Sequence, residues 1–176
     1  MNEYKPWIHT NVINILKKTI KKDTKILEFG SGFSTLFFQN YSNNVISIEH
    51  NRNWYNKILP KINNNTKYIL KEQNYISKLS YDSIFYNCNN LNELLNIEIP
   101  DEYFDIILVD GINRVNCVLA SYKKLKRKGI LILDDSNRID NPASDGSYKP
   151  IQELLKNWTQ IKNRSNDRNT DYWVKP

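Results

Sequence analysis

Cysteine is scarce: Cys88 and Cys117 are the only two in 176 residues, and neither belongs to a CxxC or Cys/His pattern. That excludes a zinc-knuckle framework and a disulfide-stapled scaffold. Long apolar runs are missing too. No stretch approaches the ~18 residues that a membrane span requires. The first residues, Met1-Asn2-Glu3-Tyr4-Lys5-Pro6-Trp7, show no charged segment leading into an apolar one. Together these absences predict a soluble, cytoplasmic chain with no membrane partner. Basic residues interleaved with stacking aromatics are also lacking, which disfavours a nucleic-acid groove.

Charge is present in quantity. Lysine and arginine outnumber the acids by 25 to 19, for a net charge of +6. Such an excess suits an anionic partner. However, Lys17-Lys18, Lys21-Lys22 and Lys123-Lys124 with Lys126-Arg127-Lys128 fall where helices are expected to end, and there cations complement the helix dipole. Asparagine is abundant, but hydrophobic periodicity persists through the chain, so the bias does not mark disorder.

The length fits one domain. Ile8, Val12, Ile15, Leu16 and Ile20 at helical spacing predict a first amphipathic helix within 1–22. Strands are expected at 25–29, 45–49, 67–70, 103–110 and 130–133, alternating with helices near 34–38, 53–62, 91–95 and 115–126. Strand and helix in alternation imply a parallel sheet with helices on both faces. The tail at 148–176 reads as a helix over 151–158 followed by a hairpin of two short strands, 159–162 and 171–174. The predicted fold is therefore a Rossmann-like α/β domain with a seven-stranded, mostly parallel sheet and an antiparallel terminal strand.

Chemistry-bearing residues fall at the carboxyl ends of the predicted strands. Gly30 and Gly32 stand between a strand and a helix, where a tight turn lets a ligand approach the backbone. Thr35 takes the place of the third glycine in GxGxxG, and Ser34 precedes it. Glu28 comes just before this turn, and Glu49 ends the next strand with His50 after it. An acid at the second strand tip can accept hydrogen bonds from two ribose hydroxyls. An acid before the glycines suits a cationic amino group and would repel a pyrophosphate.

These segments resemble the motifs of class I S-adenosylmethionine (SAM)-dependent methyltransferases. Ile26-Leu27-Glu28-Phe29-Gly30-Ser31-Gly32 is similar to their first motif and Val45-Ile46-Ser47-Ile48-Glu49 to their second. Phe104 to Gly111 resembles the fourth-strand motif, and Lys128 to Asp135 the fifth. The resemblance covers about 24–136, and four motifs in order are more specific than any one. It implies SAM as cofactor, contacted by Glu28, Gly30, Ser31, Gly32, Ser34, Thr35, Glu49, His50 and Asp110. It further implies methyl transfer to a hydroxyl of a small acceptor, such as a sugar. No Asn/Asp-Pro-Pro-aromatic motif follows the fourth strand, which disfavours amino methylation of a nucleobase.

Asp110, Asp134 and Asp135 end two strands expected to be neighbours, and two readings stand. They can hold Mg²⁺, as the resemblance to catechol O-methyltransferase implies, with Asp110 and Asp135 catalytic. In that comparison Asp135 replaces an asparagine, and Asn113 stands where a lysine would. Alternatively, Asp134 or Asp135 caps a turn and Asp110 orients the cofactor, with Arg114 and Arg138 neutralising the acids. Three other functions also remain open: a nicotinamide-dependent dehydrogenase, an RNA methyltransferase and a non-catalytic partner protein.

Overall fold

The computed structural model describes residues 4–72, 91–140 and 147–176. The polypeptide alternates as the sequence predicts: α1 (Thr10–Thr19), β1 (Lys25–Phe29), α2 (Phe33–Tyr41), β2 (Asn44–Glu49), α3 (Arg52–Ile58) and β3 (Thr66–Leu70) come first. After the next described segment opens with α4 (Leu91–Leu95) come β4 (Phe104–Val109), α5 (Arg114–Ser121), β5 (Leu125–Asp134), α6 (Lys149–Leu154), β6 (Thr159–Ile161) and β7 (Thr170–Val174). Cys88 lies outside the described residues, whereas Cys117 is buried in α5.

The strands form one seven-stranded sheet in the order β3-β2-β1-β4-β5-β7-β6. β1 pairs in parallel with both β2 and β4, while β7 runs antiparallel to β5 and β6. Strand order reverses between β1 and β4, the switch point beside which open α/β sheets bind ligands. Leu27, Ile107, Leu108, Val109, Leu131, Ile132 and Leu133 have no exposed surface. Burial on both sheet faces explains why these strands read as continuous apolar runs rather than alternating ones.

Alternate residues of each strand serve different layers. Ile26, Ile106, Leu108 and Ile132 join Val12, Leu16, Phe37 and Phe38 of α1 and α2 on one face. Leu27, Ile107, Leu131 and Leu133 join Leu91, Val118, Ile151 and Trp173 on the other. The amphipathic first helix is thus part of the core, and its His9 acts as N-cap, accepting from Asn11 N–H through Nδ1 at 3.2 Å.

Helix limits differ from the periodicity in one instructive place. The helix expected to continue to about 126 ends at Ser121, a 3₁₀ turn spans Tyr122–Lys124, and β5 begins at Leu125. Lys126, Arg127 and Lys128 therefore lie in β5, where its register with β4 shifts, and not at a helix end. They were legible as charge but not as strand, because β-propensity disfavours lysine. Two of them are compensated across the strand pair: Lys126 pairs with Asp105 at 2.6 Å and Arg127 with Glu102 at 3.7 Å.

The terminal hairpin is fastened by a buried charge. Asp171, with no exposed surface, accepts from Asn163 N–H, Gln160 Nε2 and Arg164, whose Nη2 lies 3.0 Å from Oδ2. Removing the cation would leave a buried carboxylate without its ion pair, at a cost of about 3 kcal/mol or more. Arg164→Ala should therefore lower the urea midpoint substantially without altering the m-value. A change of only a few tenths of a kcal/mol would show that Asp171 is held by its neutral donors alone.

Candidate active site

Two backbone turns meet where the strand order reverses. Gly30 follows β1 with φ +88°, a conformation that disfavours any L side chain, and a Cβ there would come within 2.5 Å of Gly111 N. Asp110 N–H donates to Phe29 O at 2.8 Å, and Gly30 N–H to Ile48 O at 2.9 Å. The turn after β1 is thus locked against β2 on one side and the turn after β4 on the other. Gly32 differs: its φ of 162° is extended backbone, and a Cβ would meet only the Trp54 ring at an ordinary 3.6 Å. Only the first glycine is required by the protein's own packing.

Glu28 lies beneath this turn and is fully buried. Its Oε2 accepts from Thr35 Oγ1 and Ser47 Oγ, both at 2.5 Å, and Thr35 Oγ1 also accepts from Gly32 N–H at 2.9 Å. Thr35 therefore ties the turn to the acid below it, which gives physical meaning to a hydroxyl where a third glycine would stand. Ser34 is buried beside it. Glu28 Oε1 has no hydrogen-bond partner among the described residues. Burial pushes the Glu28 carboxyl up to about 7, against the opposing pull of the hydroxyl hydrogen bonds, with the nearby Glu49 charge adding to the rise.

Glu49, at the end of β2, is 2% exposed and held by protein donors on both oxygens. Oε1 accepts from His50 N–H and Asn51 N–H at 2.9 and 2.8 Å, with His50 Nδ1 at 3.1 Å. Oε2 accepts from Ser31 N–H and Ser31 Oγ at 2.9 and 2.7 Å. Burial alone would raise this carboxyl, but the hydrogen bonds from His50, Asn51 and Ser31 outweigh it and hold the group down at about 2. Ser31 Oγ also lies 2.6 Å from Tyr68 Oη, so its hydroxyl has a second partner if a ligand takes its place on Glu49. Trp54 Nε1 donates to Ser31 O at 2.7 Å, clamping the turn from α3.

A second cluster forms where β4 and β5 end. Asp110 Oδ1 lies 3.3 Å and Asp135 Oδ2 3.0 Å from Arg114 Nη2. Arg114 Nη1 donates to the carbonyl oxygen of Asp134 and Nε to that of Gly111. Arg138 adds a contact from Nη2 to Asp135 Oδ2 at 3.2 Å. The Asp134 carboxyl accepts from Thr170 Oγ1 at 2.5 Å, and His9 N–H donates to that same hydroxyl. Burial and mutual repulsion raise the Asp110 carboxyl well above its ordinary range, and burial raises that of Asp134. Asp135 adopts a left-handed conformation, φ +50°, ahead of the 3₁₀ turn Ser136–Ile139, and makes no side-chain cap there.

The structure therefore brings Glu28, Gly30, Ser31, Gly32, Ser34, Thr35, Glu49 and His50 to one turn, and Asp110, Asp134 and Asp135 to the adjoining strand ends. It also adds residues that sequence reasoning missed. Ser47, Tyr68 and Trp54 support the acids and the turn, and Thr170 reaches Asp134 from the terminal hairpin. A hydroxyl two residues before Glu49 was a visible signal for Ser47. Nothing local signals Thr170, whose partner lies 36 residues away. A cleft lined by Lys25, Asn44, Asn65, Lys67 and Tyr103 opens at the amino ends of β1 to β4, away from these acids at the carboxyl ends.

No protein-family model matches the chain, and no curated protein matches it by sequence. Solved structures do match. A methyltransferase-like protein from Silicibacter pomeroyi superposes with a TM-score of 0.64 at 18% identity, covering 99% of this chain and 90% of that one. An O-methyltransferase from Bacillus cereus in complex with S-adenosylhomocysteine (SAH) gives 0.56 at 21% identity over 86% and 74%. The tRNA (m1A58) methyltransferase of Aquifex aeolicus gives 0.60 at 14% over 99% and 72%. At these identities the likeness establishes the fold, a Rossmann-like sheet shared with SAM-dependent methyltransferases. No helix among the described residues is long and apolar enough to cross a membrane.

The raised Glu28 carboxyl makes a signed prediction. Between pH 4.5 and about 7 the folded state holds a proton that the unfolded state has lost, so this group's contribution to stability falls as pH rises. The decline is on the order of 3 kcal/mol over that window. Glu28→Gln stays neutral throughout, and the subtraction cancels contributions from Asp110 and Asp134. Melting temperatures measured for both proteins should therefore diverge in favour of the variant from pH 4.5 to 7 and run parallel above it. Curves parallel over the whole range would sink the assignment.

Proposed function

We propose that this chain is a SAM-dependent methyltransferase acting on a hydroxyl of a small acceptor. The observation that carries the reading is the pair of buried carboxylates around one glycine turn at the sheet's switch point, one of them with an orphaned oxygen. A buried acceptor without a partner costs about 1–3 kcal/mol. A ligand that supplies a donor there recovers that cost, and the ammonium of a methionine moiety is such a donor. Glu49 stands at the neighbouring strand tip, where ribose hydroxyls can replace the Ser31 hydroxyl as it turns to Tyr68. A dinucleotide fits less well, since its pyrophosphate would meet the negative pair.

SAM when bound supplies an electrophilic methyl group on a sulfonium. The chain's own task is to hold the acceptor oxygen in line and to take its proton. Asp135 suits the second role: Arg114 and Arg138 fix Oδ2, and its side chain is 39% exposed, the most open of the three strand-end acids. With SAM held by Glu28 and Glu49, an acceptor hydroxyl at this end of the sheet would give up its proton to Asp135. Asp110 stands between Gly30 and this carboxylate, where it orients the cofactor end.

The Bacillus cereus neighbour, an O-methyltransferase in complex with SAH, supports the cofactor and the oxygen acceptor; the Aquifex aeolicus one acts on tRNA. Charge favours the small acceptor. Lys124, Lys126, Arg127 and Lys175 are each paired with Asp101, Asp105 or Glu102, so this basic segment is compensated rather than poised for phosphates.

Calorimetry with SAH tests the cofactor. Glu49→Ala should weaken binding by more than ~1.5 kcal/mol, the scale of hydrogen bonds to a charged group. Unchanged affinity would remove the ribose assignment. Transfer from labelled SAM to nucleotide-sugars, phenols and total RNA tests the acceptor. Label on a small hydroxylated compound, with kcat lowered and SAH affinity retained in Asp135→Asn, is the expected outcome. Label on RNA alone would overturn the choice of acceptor.

A further inference from the structure

We infer that Arg114 is the resident cation of this site, standing where a divalent ion would otherwise bridge the ends of β4 and β5, so that the carboxylates there bind no metal. The inference rests on the methyltransferase reading for its catalytic meaning, but its geometry stands alone. Arg114 is 8% exposed. Its three nitrogens are all engaged, by Gly111 O, Asp134 O and the Asp110 and Asp135 carboxylates. Nη2 lies 3.3 Å from Asp110 Oδ1 and 3.0 Å from Asp135 Oδ2, in the place from which a bridging ion would hold both oxygens. Mg²⁺ needs its oxygen ligands at about 2.0–2.1 Å, so ion and guanidinium exclude one another.

The remaining ligands do not favour the ion either. Asp135 Oδ2 is shared with Arg138 at 3.2 Å, and Asp134 Oδ1 is taken by Thr170 Oγ1. No group of three His, Cys, Asp or Glu residues among the described residues is arranged to hold a metal. Arg114 also begins α5, at the positive end of the helix dipole, a position worth about 0.3–1 kcal/mol against a cation. Its place there is stabilised by the acids around it. Asn113, where the metal-dependent pattern has lysine, adopts φ +54°, a conformation asparagine tolerates better than most residues. That left-handed residue turns the chain so that Arg114 reaches back over the end of β4.

The consequence is catalytic as well as structural. A guanidinium fixes and neutralises carboxylates, but it does not coordinate a substrate hydroxyl or acidify it as a bound ion does. The acceptor proton must then be taken by a side chain, and Arg114 acts as a positioning residue by holding Asp135.

The experiment uses the full chain saturated with SAH. Mn²⁺ added at equimolar ratio should remain free by electron paramagnetic resonance, and neither EDTA nor excess Mg²⁺ should move the melting temperature. Stoichiometric Mn²⁺ binding that disappears in Asp135→Asn would overturn the inference. Arg114→Ala uncovers the carboxylates. It should melt at a lower temperature than wild type and regain stability on adding Mn²⁺, with at least tenfold tighter Mn²⁺ binding. A variant as stable as wild type and indifferent to Mn²⁺ would show that the acids need no cation, which also overturns it. Should Arg114→Ala fail to fold, the wild-type resonance measurement decides. Failure of SAH to bind in parallel calorimetry would remove the cofactor reading and leave the Mn²⁺ result standing.

Discussion

Burial of negative charge is the constraint around which this molecule is organised. Glu28, Glu49, Asp110, Asp134 and Asp135 converge at the carboxyl ends of the central strands of a sheet that is apolar on both faces. Carboxylates so placed must be paired, hydrogen-bonded or protonated. All three solutions occur. Glu49 is ionised and saturated by backbone and hydroxyl donors. Asp110 and Asp135 share a guanidinium. Glu28 drifts toward the neutral form, with one oxygen unanswered. The tight turn at Gly30, the clamp from Trp54 and the reach of Thr170 from the hairpin each serve one of these solutions.

Much of this was legible in the sequence because it is local. Glu28-Phe29-Gly30 and Asp110-Gly111 are contiguous signals, and strand alternation with helices sets their relative placement. Apolar runs such as Ile106 to Val109 mark doubly buried strands whatever their surroundings. Where the sequence misled, the cause was a non-local one. Lys126 to Lys128 read as a helix end because lysine is a poor strand former, and the acids that compensate Lys126 and Arg127, Asp105 and Glu102, come from elsewhere in the chain. Thr170 was invisible because its bond to Asp134 requires the antiparallel return of β7. Arg114 was visible as a charge, but which acids it would serve depended on the left-handed turn at Asn113.

The neighbours in fold help to separate what the sheet dictates from what it leaves open. Proteins acting on tRNA and O-methyltransferases superpose on this chain with comparable TM-scores. Fold alone therefore does not choose an acceptor, and the choice has to be argued from side chains at the strand ends. The segment before α1 brings side chains to those strand ends. Tyr4 and Trp7 lie 6.0 and 5.4 Å from the Phe33 ring, which directly follows the glycine turn, and Trp7 remains 59% exposed. His9 anchors the same segment to Thr170, and through it to Asp134.

In the proposed reading Glu28 links stability to binding. Its orphaned oxygen and its pull toward neutrality both cost folding energy, and Thr35 and Ser47 recover only part of it. A better-satisfied acid would make a more stable protein and a poorer site, since a ligand donor would arrive to find its acceptor already occupied. Glu49 shows the opposite balance, because its donors hold it ionised and shaped in advance, so that a ligand has only to displace one serine hydroxyl. An unsatisfied acid that gains on binding and a satisfied one that is merely exchanged together favour a ligand with a cationic end and a diol. A ligand that binds the folded state alone raises its stability by RT ln(1 + [L]/Kd), so melting temperature would report occupancy of this turn before any acceptor is known.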